Sequence, residues 1–421
     1  MKPIYYDLTE LYLKSRSKMK YYGVARVVAE IAFEISRIDP QVVFVVFDKA
    51  RGQFFQIRPK FGTMSANGPV DLCLPARAVP FRINSANARQ SCLSRAVRNL
   101  GTIAARFASA AMFPDINSYL EPVSLGEGWL LTAARPKFVA DIVRHIKSAG
   151  INVRVGAYVY DMIPLHDHLE ITSGFRDNFI SDNCVIMQGA DLIMSASRST
   201  FNDVCDAAEK GILPKPALHS IVQLCHECRD DGGLADVELP PTPYFLGVGI
   251  TRGRKNLDIV LKAILALLDA EKTPPNFVVA GVDRNRSRKA LRQSKFARAD
   301  PYVHFVNAPS QANLIKLYQN AAATVLPSKY EGWGLPLAES LWFGTPGISA
   351  SNSSLPEVGG ALAVYFDQDD PVELAAIFDR FARDADFVAD LRAKIAAAKP
   401  TLRMWSHVAN DLLNTIKAQG E

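Results

Sequence analysis

The stretch Tyr330-Glu331-Gly332-Trp333-Gly334-Leu335-Pro336-Leu337-Ala338-Glu339 decides how this chain is read. Its two glycines let backbone approach a ligand with no Cβ in the way. Pro336 suits the first turn of a helix, where its missing N–H goes unnoticed. The free N–H groups at that helix start then favour an anion such as a phosphate above the glycines. Glu339, expected in the first turn, offers two acceptor oxygens suited to the vicinal diol of a ribose or pyranose. Glu331, eight residues earlier at a strand end, is expected to face the same cavity from the other side.

Outward from this stretch, apolar runs of strand length alternate with helix-period segments, the pattern of parallel α/β layering. The sequence predicts strands over 244–249, 276–281, 303–306, 324–327 and 347–350, and helices over 255–268, 310–319 and 335–343. In the first half, 42–47, 153–160 and 191–195 read as strands. Residues 23–38 read as a helix with Val24, Val27, Val28, Ile31 and Ile35 on one side. The acidic, Gly- and Pro-rich segment 229–243 cannot build a core and reads as a linker.

A second element, Gly249-Ile250-Thr251-Arg252-Gly253-Arg254-Lys255-Asn256, follows a strand and opens a helix. Cations at a helix start are mildly unfavourable for the helix itself. A diphosphate bound there reverses the balance, because charge-assisted contacts with phosphate are strong.

Together these elements resemble the retaining nucleotide-sugar glycosyltransferases of the GT-B fold, family four, the group 1 enzymes of bacterial surface polysaccharide synthesis. The Glu-x7-Glu motif is Glu331 and Glu339, and the Arg-Lys-Asn element is Arg254, Lys255 and Asn256. Leu317-Tyr318, Pro327-Ser328 and Ser354-Leu355-Pro356-Glu357-Val358 follow the family's order and spacing. The likeness is strong over 244–367. It is weaker earlier, through Gly23-Val24-Ala25-Arg26 and Tyr160-Asp161.

The resemblance implies an α/β, GT-B architecture of two Rossmann-like domains facing across a cleft. They would be an acceptor domain at 1–232, a linker at 233–243, a donor domain at 244–402, and a helix within 403–421 that crosses back with Trp405 as its anchor. It further implies that Arg254 and Lys255 hold the donor diphosphate, Glu339 the ribose and Glu331 the sugar hydroxyls. Gly332, Trp333, Gly334 and Leu335 would line the donor with backbone N–H groups, joined by Tyr160, Asp161 and Asn256, with Gly23 and Arg26 on the acceptor side. The implied partners are a nucleotide-sugar donor and a glycan or lipid-linked glycan acceptor, without a cofactor, a metal or nucleic acid. Two departures stand out. Tyr160 replaces the usual His, and Ile250, Arg252 and Gly253 replace Thr, Glu and Pro. A weakened binding paralogue and a same-fold epimerase remain the rival readings.

Composition bounds these expectations. With 421 residues, 48% hydrophobic and 22% charged, the chain is an ordinary globular protein of about two domains. Strand-sized apolar runs exclude a membrane span, and a cytoplasmic location is expected. Six cysteines are too sparse for a disulfide scaffold. Cys225-His226-Glu227-Cys228 lacks the second pair that a structural zinc site needs.

Residues 1–150 carry 21 Lys and Arg against 11 acids, and no acid lies between Asp71 and Asp115. Within that span, 93–111 places Leu93, Val97, Leu100, Ala104 and Phe107 opposite Arg95, Arg98 and Arg106. Such a helix either lies in an anionic membrane interface, making the protein peripheral on the inner face, or packs on the core with a solvated Arg face.

Overall fold

The structure is a computed structural model describing residues 2–14, 21–65, 68–74, 120–166, 169, 171–230, 232–281 and 284–420. The basic segment 93–111, Asp167 and His168 lie outside the described residues. Ten strands belong to the first half: β1 Ile4–Asp7, β2 Val43–Asp48, β3 Gln53–Gln56, β4 Lys60–Ser65, β5 Gly68–Asp71, β6 Glu121–Val123, β7 Trp129–Thr132, β8 Arg154–Val159, β9 Leu192–Ser195 and β10 His219–Ile221. Eight of them form one sheet in the order β10-β9-β8-β7-β1-β2-β3-β6. It is parallel from β10 to β2, and β3 and β6 extend it antiparallel. Strands of three and four residues carry too few apolar positions to stand out in a sequence, which is why this extension and β7 escape a periodicity search.

The second half is regular. Strands β11 Tyr244–Val248, β12 Asn276–Ala280, β13 Val303–Val306, β14 Ala323–Leu326, β15 Gly347–Ala350 and β16 Ala363–Phe366 form an all-parallel sheet ordered β13-β12-β11-β14-β15-β16. That is the doubly wound order, in which the direction of strand addition across the sheet reverses between the first strand and the fourth. Ligands of such sheets sit in the crevice beyond the strand ends at that reversal. The loops leaving β11 and β14 therefore flank the expected site.

The closing helix Trp405–Lys417 packs on helix Val24–Ile38 of the first half. Trp405, Val408 and Leu412 are fully buried there. Arg154 fastens its far end by donating to the carbonyls of Gln419 at 3.1 Å and Gly420 at 2.7 Å. The same apolar cluster takes in Trp333, Leu337, Leu355 and Val358 from the second half. The two sheets thus share a dry seam in addition to facing each other across a cleft. Among the described residues, no helix is long and apolar enough to cross a membrane.

Candidate functional site

The loop after β14 turns into helix Leu335–Trp342 at Gly334, whose φ of +107° only glycine adopts without strain. The N-cap carries no side-chain acceptor, so the orphan N–H groups of the first turn depend on backbone, water or a ligand. Serines hold the loop upstream. Glu331 N–H donates to Ser353 Oγ at 3.0 Å, and Ser354 Oγ donates to the carbonyls of Glu331 at 3.0 Å and Trp333 at 2.8 Å.

After β11, the chain passes Gly249 and makes a single 3-10 turn, Gly253–Lys255. Asn256, at φ +56°, ends that turn and starts helix Leu257–Asp269. Arg254 and Lys255 thus sit in the turn before the helix instead of in its first residues. From there Lys255 Nζ reaches Glu331 Oε1 at 2.5 Å, and Arg254 Nη1 reaches Glu331 Oε2 at 3.1 Å and the Tyr330 carbonyl at 2.7 Å. Burial opposes ionisation of Glu331, but Lys255 and Arg254 outweigh it and hold the carboxyl below the usual carboxylate range. Two cations on one carboxylate leave a surplus positive charge beside an uncapped helix start. That combination favours a bound anion.

The geometry places the other expected site residues as follows. Glu339 lies in the second helical turn and does not join this cluster. Its carboxylate accepts from Arg26 Nη1 at 2.6 Å and from Tyr318 Oη at 2.7 Å, and only 3% of the residue is exposed. Arg26, expected on the acceptor side, reaches from helix Val24–Ile38 of the first half to Glu339 on helix Leu335–Trp342 of the second. Burial works against its charge, yet Glu339 holds it protonated. Tyr160 donates its hydroxyl to the Ala133 carbonyl at 2.5 Å. Trp333 donates its indole N–H to the Cys225 carbonyl at 3.1 Å and is buried in the seam. Asn256 donates to the Gln368 carbonyl at 2.8 Å. Leu335 packs against the shared core, and Gly23 caps helix Val24–Ile38 at φ +54°.

Asp161 stands opposite, at the C-terminal end of β8. Its Oδ1 accepts from Ile163 N–H at 3.1 Å, and desolvation raises its pKa. Gly332 brings the two halves together here. A Cβ on Gly332 would sit 2.2 Å from the Tyr160 carbonyl oxygen and 2.6 Å from Asp161 Cβ. Backbone cannot yield that much, so Gly332→Ala is expected to force the halves apart. The expected cost is about 1–3 kcal/mol, with weakened function, checked by urea denaturation. An unchanged unfolding midpoint would show that the close approach is absent.

Sequence reading misses the remaining interdomain contacts. Glu357 accepts from the N–H groups of Arg198 and Ser199, each at 2.7 Å, at the start of helix Arg198–Glu209. There the carboxylate complements the helix dipole. Tyr330 Oη meets Asp203 at 2.7 Å, and His166 stacks on the Tyr330 ring at 4.0 Å. The only hint in the sequence is Glu357 within its Ser-Leu-Pro-Glu-Val run. Its partner lies in a different sheet. Cys225 and Cys228 are both free and buried, with burial pushing the Cys228 thiol up to about 12. His219 turns away from them to Ser195 Oγ at 2.8 Å.

Residues 237–399 match the family described as glycosyl transferases group 1. The serotype-specific mannosyltransferase WbdA of Escherichia coli is 24% identical over 261 residues, 60% of this chain and 32% of that protein. D-inositol 3-phosphate glycosyltransferase of Nocardiopsis dassonvillei is 30% identical over 199 residues, 44% of this chain and 45% of its own. The chain thus spans between a third and a half of the length of these relatives. Among solved structures, sucrose-phosphate synthase from Thermosynechococcus elongatus superposes with a TM-score of 0.65 at 15% identity, covering all of both chains. Anabaena HepE in complex with UDP superposes at 0.59 and 13% identity, covering 99% of this chain and all of that one. These likenesses show the fold, which is GT-B.

Proposed function

We propose, from the match of residues 237–399 to the group 1 glycosyl transferases, that the chain moves a hexose, mannose in the first instance, from a nucleotide diphosphate donor to a glycan or lipid-linked glycan acceptor, with retention at the anomeric carbon. The observation that carries this reading is the convergence of Arg254 and Lys255 on Glu331 at the reversal point of the second sheet. The diphosphate lies over the start of helix Leu335–Trp342, where the Leu335 N–H and two cations meet its charge. The anomeric carbon–oxygen bond to the diphosphate breaks and the acceptor oxygen bonds to the same face of that carbon. The departing phosphate oxygen takes the acceptor's proton. Arg254 and Lys255 neutralise the charge that builds on the leaving group, and this is the largest catalytic contribution. Mannosyl transfer is favoured because WbdA and the O-antigen chain mannosyltransferase B of Escherichia coli are both relatives by sequence.

Thermal unfolding with GDP, UDP, dTDP and ADP tests the reading. A ligand held only by the folded state adds roughly 2.7 kcal/mol at a hundredfold excess over its Kd. GDP is expected to raise the unfolding temperature most. If no nucleoside diphosphate raises it, the transferase reading fails.

A further inference from the structure

Tyr330 stands between the two halves, at the edge of the cation cluster. Its side chain is held by the first half, where the hydroxyl donates to the Asp203 carboxylate, with Oδ1 at 2.7 Å and Oδ2 at 2.8 Å. The hydroxyls of Ser199 and Tyr330 lie 3.2 Å apart. Ser199 and Asp203 are four residues apart on helix Arg198–Glu209 and so share one of its faces. The His166 ring lies 4.0 Å from the Tyr330 ring, and its Nε2 lies 3.4 Å from Asp203 Oδ2. The Asp203 side chain is only 12% exposed, so water competes little for this charge-assisted bond.

The main chain of the same residue serves the second half. The Tyr330 carbonyl accepts from Arg254 Nη1 at 2.7 Å, and that nitrogen also reaches Glu331 Oε2 at 3.1 Å. Lys255 meets the other oxygen of Glu331 at 2.5 Å. Lys329 N–H donates to the Arg254 carbonyl at 2.9 Å, which joins the loop before Glu331 to the basic turn. A pull on the Tyr330 phenol is therefore felt by loop and turn together.

An arginine side chain is long, and the groups that accept from it decide where its charge falls. The other contacts between the halves, from Arg26 to Glu339 and from the Arg198 and Ser199 N–H groups to Glu357, involve neither cation of the basic turn. The bond from Tyr330 to Asp203 differs from them because one residue carries it to the acceptor that orients Arg254.

We propose that Asp203 is a positioning residue for the transfer, which acts through the Tyr330 hydroxyl to fix the carbonyl that orients Arg254 and so sets the basic turn against the leaving diphosphate. Its part in transfer rests on the transferase reading, while the linkage through Tyr330 rests on the geometry alone.

The test compares the full chain with Asp203→Ala, Asp203→Asn, Tyr330→Phe and the Ala/Phe double variant. Turnover of GDP-mannose and UDP-glucose is measured with methyl mannoside as the acceptor probe. Charge on the diphosphate grows in the transition state, so Asp203→Ala should lower kcat at least ~10-fold and move the donor KM less than ~3-fold. Asp203→Asn keeps an oxygen that accepts from the phenol and should come within ~3-fold of wild type. Tyr330→Phe, which keeps the ring and so spares the fold, should match Asp203→Ala. The double variant should fall no further than either, since both changes cut the same bond.

An unchanged kcat in Tyr330→Phe overturns the inference while leaving the transferase reading in place. So do losses that add in the double variant, or an Asp203→Asn as slow as Asp203→Ala, which would make the charge and not the bond responsible. If wild type turns over neither donor, the transferase reading fails, and affinity for GDP and UDP decides the linkage. Free diphosphate carries the full leaving-group charge, so Tyr330→Phe should raise the Kd of the tighter nucleotide at least ~5-fold. An unchanged Kd, or no binding of either nucleotide by wild type, overturns the linkage as well.

Discussion

Lys255→Ala lowers transfer by at least ~100-fold, the scale seen when one preorganised charge-stabilising group is removed from a reaction that develops an anion. The ammonium lies 2.5 Å from Glu331 Oε1, on a turn that the neighbouring strands fix. Its removal leaves the site's shape intact, because Glu331 keeps Arg254 at 3.1 Å and its own N–H keeps Ser353. In the proposed transfer, the missing contribution falls on the leaving diphosphate. Turnover of a nucleotide sugar by wild type and variant measures it, with the unfolding midpoint as a control for folding. Lys255→Arg recovers only part of the rate, since a planar guanidinium does not replace a compact ammonium at 2.5 Å. Near-wild-type turnover in Lys255→Ala would remove this residue from the mechanism. Glu331 adds a pH dependence of its own. Its folded pKa is depressed, so its stabilising pairs are complete above the unfolded carboxylate pKa and are lost as pH falls through the folded value.

Arg26→Ala carries the largest expected effect on stability. It removes the guanidinium 2.6 Å from Glu339 and leaves a carboxylate that is 3% exposed with Tyr318 as its one remaining side-chain donor among the described residues. Breaking one side of a buried pair costs about 3–5 kcal/mol, because the other charge is left uncompensated. Glu339→Gln alone is costly for the converse reason, as Arg26 is itself 6% exposed with Nε and Nη2 already lacking partners. The double variant should cost less than the sum of the two single ones, and a double-mutant cycle in urea measures that coupling. Additive behaviour would mean that the two side chains do not meet. Because Arg26 belongs to the first half and Glu339 to the second, loss of the pair also loosens the approach of the two sheets.

Much of the second half is legible from sequence because its rules are local. Strand-sized apolar runs separated by helical periods give β11 to β15 within a residue or two at each end. Gly334 before Leu335-Pro336 marks a helix start that any reader of turn chemistry would place. Arg254 and Lys255 are conspicuous because cations before a helix oppose its dipole. The first half is less legible. Nothing local to Tyr160 shows that the Ala133 carbonyl lies 2.5 Å from its hydroxyl. Nothing local to Glu339 shows that Arg26, 313 residues away, lies against it.

By itself, then, the sequence determined the α/β class, the parallel second sheet, and the pairing of a glycine-rich loop with a basic turn. Those features follow from periodicity, capping and backbone freedom over a dozen residues. Only the tertiary structure decided which carboxylate those cations hold, that Arg26 meets Glu339 from the other half, and that Glu357 caps a helix of the other half. Each of these depends on groups brought together across two sheets, where burial removes water and makes every unpaired charge or hydrogen bond costly. No local pattern in the chain encodes that juxtaposition.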